Sequence, residues 1–310
     1  MPNDEVPQAH QQSLAPGLYL VATPIGNLED ISIRALRVLR LVDRIACEDT
    51  RQTQKLLNHY GITTPTVSLH EHNEAGRTSE LVAGLLGGKR VAVVSDAGTP
   101  GVSDPGMFLT KAAIKADIPV FSVPGASAAL TALVASGMYT ERFLFLGFLP
   151  PKTTARRSDL EKVKAGINQP TTLIFYEAPH RILETLSDIE RTWGVGCNVV
   201  VARELTKVHE EYLRGSVAEV RRSLAGRDRV RGEMVLLVEA LPQTGEGQDG
   251  GISVRERIQQ LKDTEGLDEM DALKRIARER GISKSEAYRE LQRERSYRPG
   301  GRVFDSTSRE

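Results

Sequence analysis

Apolar positions along the chain alternate between two spacings. Residues 18–23 form a short buried-strand run, after which Ile33, Leu36 and Leu39 recur at helical spacing before residues 44–47 resume a strand. The alternation continues through a helix near 50–59, a strand near 66–69, a helix near 79–86 and a strand at 90–95. A helix near 108–116 and a strand at 119–123 complete this half. Strand–helix alternation of this kind predicts a mostly parallel sheet with helices on both faces.

Gly125 opens a second half with related grammar. A helix is expected over 127–136, followed by strand-like runs at 143–149, 172–176, 198–202, 210–213 and 233–239. No long helix is expected after the 210–213 run, so this half reads as a mixed sheet with antiparallel hairpins. Residues 241–251 are rich in Gly and Gln without periodicity, a linker composition. Beyond them, 254–262, 271–280 and 284–293 read as three short helices. The last two flank the turn Gly281-Ile282-Ser283, with Ser283 as N-cap, which is helix-turn-helix spacing. The expected boundaries are a disordered leader at 1–16, α/β domains at 17–124 and 125–243, and a linker at 244–251. A helical accessory domain at 252–298 and a disordered tail at 299–310 follow.

Charge narrows the class of partner. The 310 residues carry 41 Lys or Arg against 41 Asp or Glu, so any surface that attracts a polyanion must be local. Residues 271–298 hold nine basic against five acidic side chains, one such local excess. The two cysteines, Cys47 and Cys197, cannot build a disulfide framework or a thiolate metal site, and they read as small core residues in a reducing compartment. No apolar run is long enough for a membrane span, and the polar N-terminus lacks the features of a signal peptide. A cytoplasmic protein is expected.

In an open α/β sheet, ligands gather at the carboxyl ends of the strands. The first such loop, Thr23-Pro24-Ile25-Gly26-Asn27-Leu28, has neither the G-x-G-x-x-G nor the Walker pattern, which disfavours NAD and ATP. Residues 95–106, SDAGTPGVSDPG, form the richest loop, with three glycines and two prolines setting a tight path beside Asp96 and Asp104. A carboxylate at a strand end binds a ribose diol, and bare backbone holds an adenine edge. Asp104 has the alternative use of capping the helix that follows. Pro124-Gly125-Ala126-Ser127-Ala128 places small residues at a helix N-terminus, where N–H groups favour an anion or simply await a cap.

Charged clusters at 48–51 (EDTR), 177–181 (EAPHR) and 203–207 (RELTK) each follow a strand-like run, so each emerges at the same edge of its sheet. Either they are solvated helix starts or they meet a substrate. His70-Glu71-His72-Asn73-Glu74 continues the theme without the H-E-x-x-H spacing of a zinc helix, and no metal is expected.

Taken in order, TPIGNLEDIS, ACEDTRQT, HEHNE, VVSDAGTPGVSDPG, VPGASA, FYEAPHR, RELTK and GEMVLLVE resemble the tetrapyrrole-methylase superfamily. More narrowly they are similar to its ribosomal RNA small-subunit methyltransferase I branch. The resemblance spans about residues 17–240, and the helical tail is also similar to that branch. It implies two α/β domains joined near Pro124 with S-adenosylmethionine in the cleft between them, a homodimer, and 2′-O-methylation of a cytidine in the decoding centre of 16S ribosomal RNA in the small ribosomal subunit. Carried over by motif, the cofactor would touch Pro24, Asp96, Ala97, Gly98, Thr99, Val102, Ser127, Ala128 and Tyr176. The TPIGNL loop departs from the Gly-rich first loop of tetrapyrrole-modifying members, and the EDTR and HEHNE segments suit a polyanion better than a macrocycle. A tetrapyrrole or other small metabolite is the alternative acceptor.

A ribose hydroxyl needs its proton taken before it attacks. Glu204, Glu177 and Lys207, with His180, are the candidate catalytic groups, and the resemblance does not choose among them. Arg51, Arg181 and Arg203 read as phosphate clamps because guanidinium keeps its proton, with His70, Asn73 and His180 beside them on the substrate side.

Overall fold

Burial of alternate strand residues on both faces decides the architecture of the first half. The computed structural model describes residues 13–70, 73–242, 253–280 and 282–296. Strands β1 (Gly17–Val21), β2 (Arg44–Cys47), β3 (Thr66–Ser68), β4 (Arg90–Val94) and β5 (Val120–Val123) form one sheet in the order β3-β2-β4-β1-β5, every pair parallel. Helices α1 (Ile33–Leu41), α2 (Thr50–His59), α3 (Glu74–Leu86) and α4 (Met107–Lys115) alternate with them. Tyr19 and Val21 of β1 pack with Val38, Leu39 and Leu57 from α1 and α2. Leu18, on the opposite side of the same strand, packs with Leu81, Leu85 and Leu109 from α3 and α4. A parallel sheet covered on both faces leaves only its strand ends for chemistry.

The second sheet combines β6 (Phe143–Phe148), β7 (Thr171–Glu177), β8 (Asn198–Arg203), β9 (Glu211–Ser216) and β10 (Met234–Ala240) in the order β6-β7-β10-β8-β9. β10 runs antiparallel between β7 and β8, so Met234 lies level with both Glu177 and Arg203. The mixed sheet expected for this half is what forms. One face packs Leu173, Phe175, Val199 and Leu236 against α6 (Thr153–Gly166), α7 (Ile182–Trp193) and α8 (Val217–Ala225). The other face packs Ile174, Val200 and Leu237 against α5 (Ala128–Ser136) and against Ile25 and Leu205. Ile25 belongs to the loop after β1, and its burial in this core ties the two sheets together.

Three helices of this half were not anticipated. α6 buries only Arg156 and Leu160, too thin an apolar stripe to show periodicity. α7 does carry a helical stripe in Ile182, Leu186 and Ile189. α8, where no long helix was expected, repeats Val217, Val220 and Leu224 behind a Ser216–Glu219 capping box.

Contacts divide the chain into units Met1–Gln243 and Thr244–Glu310. In the second, α9 (Val254–Glu265), α10 (Glu269–Glu279) and α11 (Lys284–Ser296) bury Ile258, Leu261, Leu273, Ile276 and Leu291 against one another. Ser283 accepts from the Glu286 amide at 3.2 Å, the capping role expected of it. The Glu294 carboxylate accepts from the amides of Val254 and Arg255, closing α11 onto the start of α9. The leader and tail expectations fall mainly outside the described residues, although Leu14 packs against the first core. No helix among the described residues is long and apolar enough to cross a membrane.

Arg156 is the largest fully buried side chain, and its guanidinium meets Asp188 at 2.6 Å, both groups being nearly inaccessible. Asp188 also takes Arg157 at 2.6 Å. Removing one partner strands a buried charge, so Asp188→Ala should cost about 3–5 kcal/mol, read from the urea midpoint against wild type. A loss below about 1 kcal/mol, the range of an exposed pair, would show that the contact does not hold α6 to α7.

Candidate active site

The loops after β1, β4 and β5 are clasped together before any side chain is considered. Thr23 and Gly98 exchange backbone hydrogen bonds, Thr23 N to Gly98 O at 2.8 Å and Gly98 N to Thr23 O at 3.1 Å. The Thr23 hydroxyl donates to Ser95 O, and the Thr99 hydroxyl reaches Ala126 O. Gly98 holds φ at +84°, a backbone conformation that strains any residue with a side chain, although a Cβ there would only touch Ile25 at 3.4 Å. Ser103, at φ 63°, is a further left-handed residue in the same loop, the kind of stored strain that collects at binding loops. The loop ends where Glu74, buried at the start of α3, accepts from the amides of Gly106 (3.0 Å) and Phe108 (3.2 Å) and so caps α4.

This clasp floors a cleft of about 400 Å³ between the two sheets. One wall is Ile25 with Asp96–Thr99 and Val102–Asp104. The other is Phe148, Tyr176–Pro179, Leu205 and Gly232–Val235, with Ser127 and Ala128 at the α5 end. The Ser127 side chain makes no capping bond to its helix. Burial, reinforced by Glu48, pushes the Asp104 carboxyl up to about 6. Burial and then Asp96 raise Glu48 as well. Asp96 accepts from the Asp49 amide at 3.2 Å.

A second cleft, of about 440 Å³, adjoins the first and shares Ile25, Asp96, Ala97 and Glu233 with it. Its further lining is polar, with Gln52, Thr53 and Lys55 from α2, Ser95, and Lys207, beside Pro24 and Leu28. The Lys207 ammonium bridges Glu204 and Glu233, at 2.9 Å from each. Partial burial pulls the Lys207 pKa down, but its bonds to those carboxylates outweigh burial and hold it above the ordinary lysine range. The same Lys207 bond holds Glu204 below the usual carboxylate range. Glu204 and Thr206 both have positive φ, 52° and 65°. A Cβ on Gly232 would lie 2.6 Å from Glu204, and one on Gly26 would lie 2.6 Å from Lys207, so the ionic group is boxed in by glycines.

Of the nine residues expected at the cofactor, Asp96, Ala97, Gly98, Thr99, Val102, Ser127, Ala128 and Tyr176 line the first cleft. Pro24 lines the second. Among the expected catalytic groups, Glu204 and Lys207 pair with each other beside the second cleft. Glu177 lines the first cleft but is engaged at both oxygens, by the Ala178 amide (2.8 Å) and the Thr185 hydroxyl (2.6 Å), with Arg181 at 3.3 Å.

The expected arginine clamps differ in their freedom. Arg181 donates to Leu149 O at 2.7 Å and stays mostly buried. Arg203 pairs with Glu211 at 3.1 Å and donates to Arg231 O. Arg227, then Arg203, pull the Glu211 carboxyl down to about 2. Only Arg51 of the three is open, its side chain 89% exposed on the first turn of α2. Asn73 is used locally, accepting from the His70 amide at 2.9 Å. His180 is exposed. The start of β10 and Phe148 were not anticipated at the site. GEMVLLVE reads as a core strand, and nothing in it announces an antiparallel insertion that delivers its first residues to the cleft.

A family model of tetrapyrrole (corrin/porphyrin) methylases matches residues 17–221. Ribosomal RNA small subunit methyltransferase I of Halalkalibacterium halodurans is 46% identical over 286 residues, covering 91% of this chain and 96% of that protein. Among solved structures, diphthine synthase shares the fold at a TM-score of 0.56 and 16% identity, over 72% of this chain and 89% of that one. A uroporphyrin-III C-methyltransferase from Thermus thermophilus, complexed with S-adenyl homocysteine, shares it at a TM-score of 0.51 and 16% identity, over 71% and 96%. The chain belongs to the tetrapyrrole methylase family and, within it, to the ribosomal RNA small subunit methyltransferase I family.

Proposed function

We propose that this chain transfers a methyl group from S-adenosylmethionine to the 2′-hydroxyl of a cytidine in the decoding centre of 16S ribosomal RNA, acting on the small ribosomal subunit as a cytoplasmic homodimer. The observation that carries the reading is the pair of adjoining clefts in a member of this family, one combining bare backbone and apolar side chains with carboxylates, the other bringing Lys55 and Lys207 together with polar and apolar groups. The first fits the cofactor. Its volume is within the range of small-molecule sites, Gly98 lines it with bare backbone, and Ser127 leaves the α5 end uncapped. Asp96–Thr99, Val102, Ser127, Ala128 and Tyr176 would hold it. When bound, S-adenosylmethionine supplies an electrophilic methyl group on a sulfonium sulfur.

Lys55 and Lys207 can meet phosphates and hydroxyls in the second cleft, and the likeness to ribosomal RNA methyltransferases favours RNA as the acceptor over a tetrapyrrole. Lys207, cationic at neutral pH, places a fixed positive charge toward the oxygen that loses its proton, and Glu204 and Glu233 hold that charge in place. Glu204, kept below the usual carboxylate range, acts as an anchor more than as a base. Glu177, saturated by its neighbours, holds the turn into α7. Methyl incorporation from labelled S-adenosylmethionine into unmodified 30S subunits, with mapping of the modified ribose, tests the reading. Methylation of a small metabolite in place of RNA would overturn it.

Four substitutions separate the roles. Gly98→Val should abolish calorimetric binding of S-adenosylmethionine while circular dichroism keeps the native spectrum. Lys207→Met keeps the stem against Gly26 and removes the charge, so turnover should fall by about 10²–10³-fold, the cost of one lost electrostatic stabiliser. Its cofactor affinity should be unchanged. Arg51→Ala should weaken RNA binding and make the salt slope shallower by about one unit. Arg203→Ala should leave that slope alone and cost about 1–3 kcal/mol of stability, because Glu211 loses a charged partner.

A further inference from the structure

The first cleft has an acidic wall whose charges are unequally answered. Glu177 pairs with Arg181, Glu233 shares Lys207 with Glu204, and Asp96, which has no ion pair among the described residues, accepts from the Asp49 amide at 3.2 Å. Asp104 differs. It lines the cleft and is half-buried, yet among the described residues no Lys, Arg or His forms an ion pair with it. The titratable groups that face it are Glu48 from the end of β2, Asp96 from its own loop and Tyr176 from β7. None of these is a cation, and His70 is the basic group among the described residues that acts on Glu48. A partly desolvated carboxylate beside two others is costly to ionise unless a positive charge arrives.

Methyl transfer changes the charge of what the cleft holds. The S–CH₃ bond breaks and an O–CH₃ bond forms. The electron pair stays on a sulfur that is now neutral, and the hydroxyl proton passes to solvent. The donor therefore enters with a positive charge that the thioether product lacks, while the amino-acid and adenosine parts are the same in both.

We propose that Asp104 is the charge-selecting residue of the cleft, its carboxylate favouring the cationic methyl donor over the neutral thioether product so that transfer itself loosens the product. The proposal rests on the cofactor reading given above. Because burial and Glu48 place the Asp104 carboxyl at about 6, it is ionised above that pH and neutral below it. Its attraction for a cation is thus present at pH 7 and lost by pH 5.

Calorimetric titration of the full chain with three ligands tests this. They are S-adenosylmethionine, S-adenosylhomocysteine, and an analogue in which an amino-bearing carbon replaces the methyl sulfonium, so that positive charge is present without a transferable methyl. Affinity for the two cationic ligands should fall about tenfold from pH 7 to pH 5, as one carboxylate of raised pKa is protonated, and affinity for the thioether should stay level. At pH 6 the cationic ligands should release protons on binding, seen as a dependence of the heat on the buffer used. Asp104→Asn, which keeps the shape and removes the charge, should weaken both cations about tenfold at pH 7, leave the thioether unchanged and abolish the pH dependence. If all three ligands respond alike to pH and to the substitution, Asp104 does not select charge, although the cofactor reading stands. If none binds at pH 7, the cofactor reading falls and this proposal falls with it.

Discussion

Everything at the candidate site depends on one exchange of backbone hydrogen bonds, between Thr23 and Gly98. Strand-end loops of a parallel sheet are separate excursions of chain, and nothing in sheet geometry obliges two of them to touch. Here the pair binds the loop after β1 to the loop after β4, and Thr99 extends the contact to Ala126 after β5. Ile25, fixed two residues beyond Thr23, is thereby pressed into the core of the second sheet. The cleft is a by-product of that clasp. Residues 96–99 line one side of it, and Phe148, Tyr176 and Leu205 line the other.

Periodicity revealed most of the fold and missed what periodicity cannot encode. The parallel first sheet is legible because β1, β2 and β4 are buried along most of their length and apolar stripes recur between them. α6 is not, since its main buried group is an arginine, and an arginine reads as surface until its partner is known. Asp188, which neutralises it, lies on α7, 32 residues away in sequence. α7 and α8 do carry apolar repeats, and α8 a capping box, so these two helices are written locally in the sequence where α6 is not.

The same limit explains the site. Residues of the 95–106 loop were identifiable because a tight path demands glycine and proline, a local property. The charged clusters were conspicuous, but charge in a sequence does not say what answers it. Arg181 and Arg203 turn inward to carbonyls and carboxylates, and Glu177 is consumed by its own turn, whereas Arg51 on the same logic stays open. The start of β10 reaches the cleft only because that strand runs against its neighbours, a fact of topology rather than of composition.

Glu74 gives the loop a dependence on folding order. Its carboxylate caps amides 32 and 34 residues further along the chain, so the path from Ser95 to Gly106 is secured at its far end by a helix that precedes β4. Contacts between such distant segments must wait for chain closure, unlike the local turns of α3 and α4 themselves. A partly folded molecule therefore possesses its strands before it possesses a place for a ligand. Ligand binding in this protein reports on finished packing, and a chain that has paired its strands without docking α3 on α4 is silent.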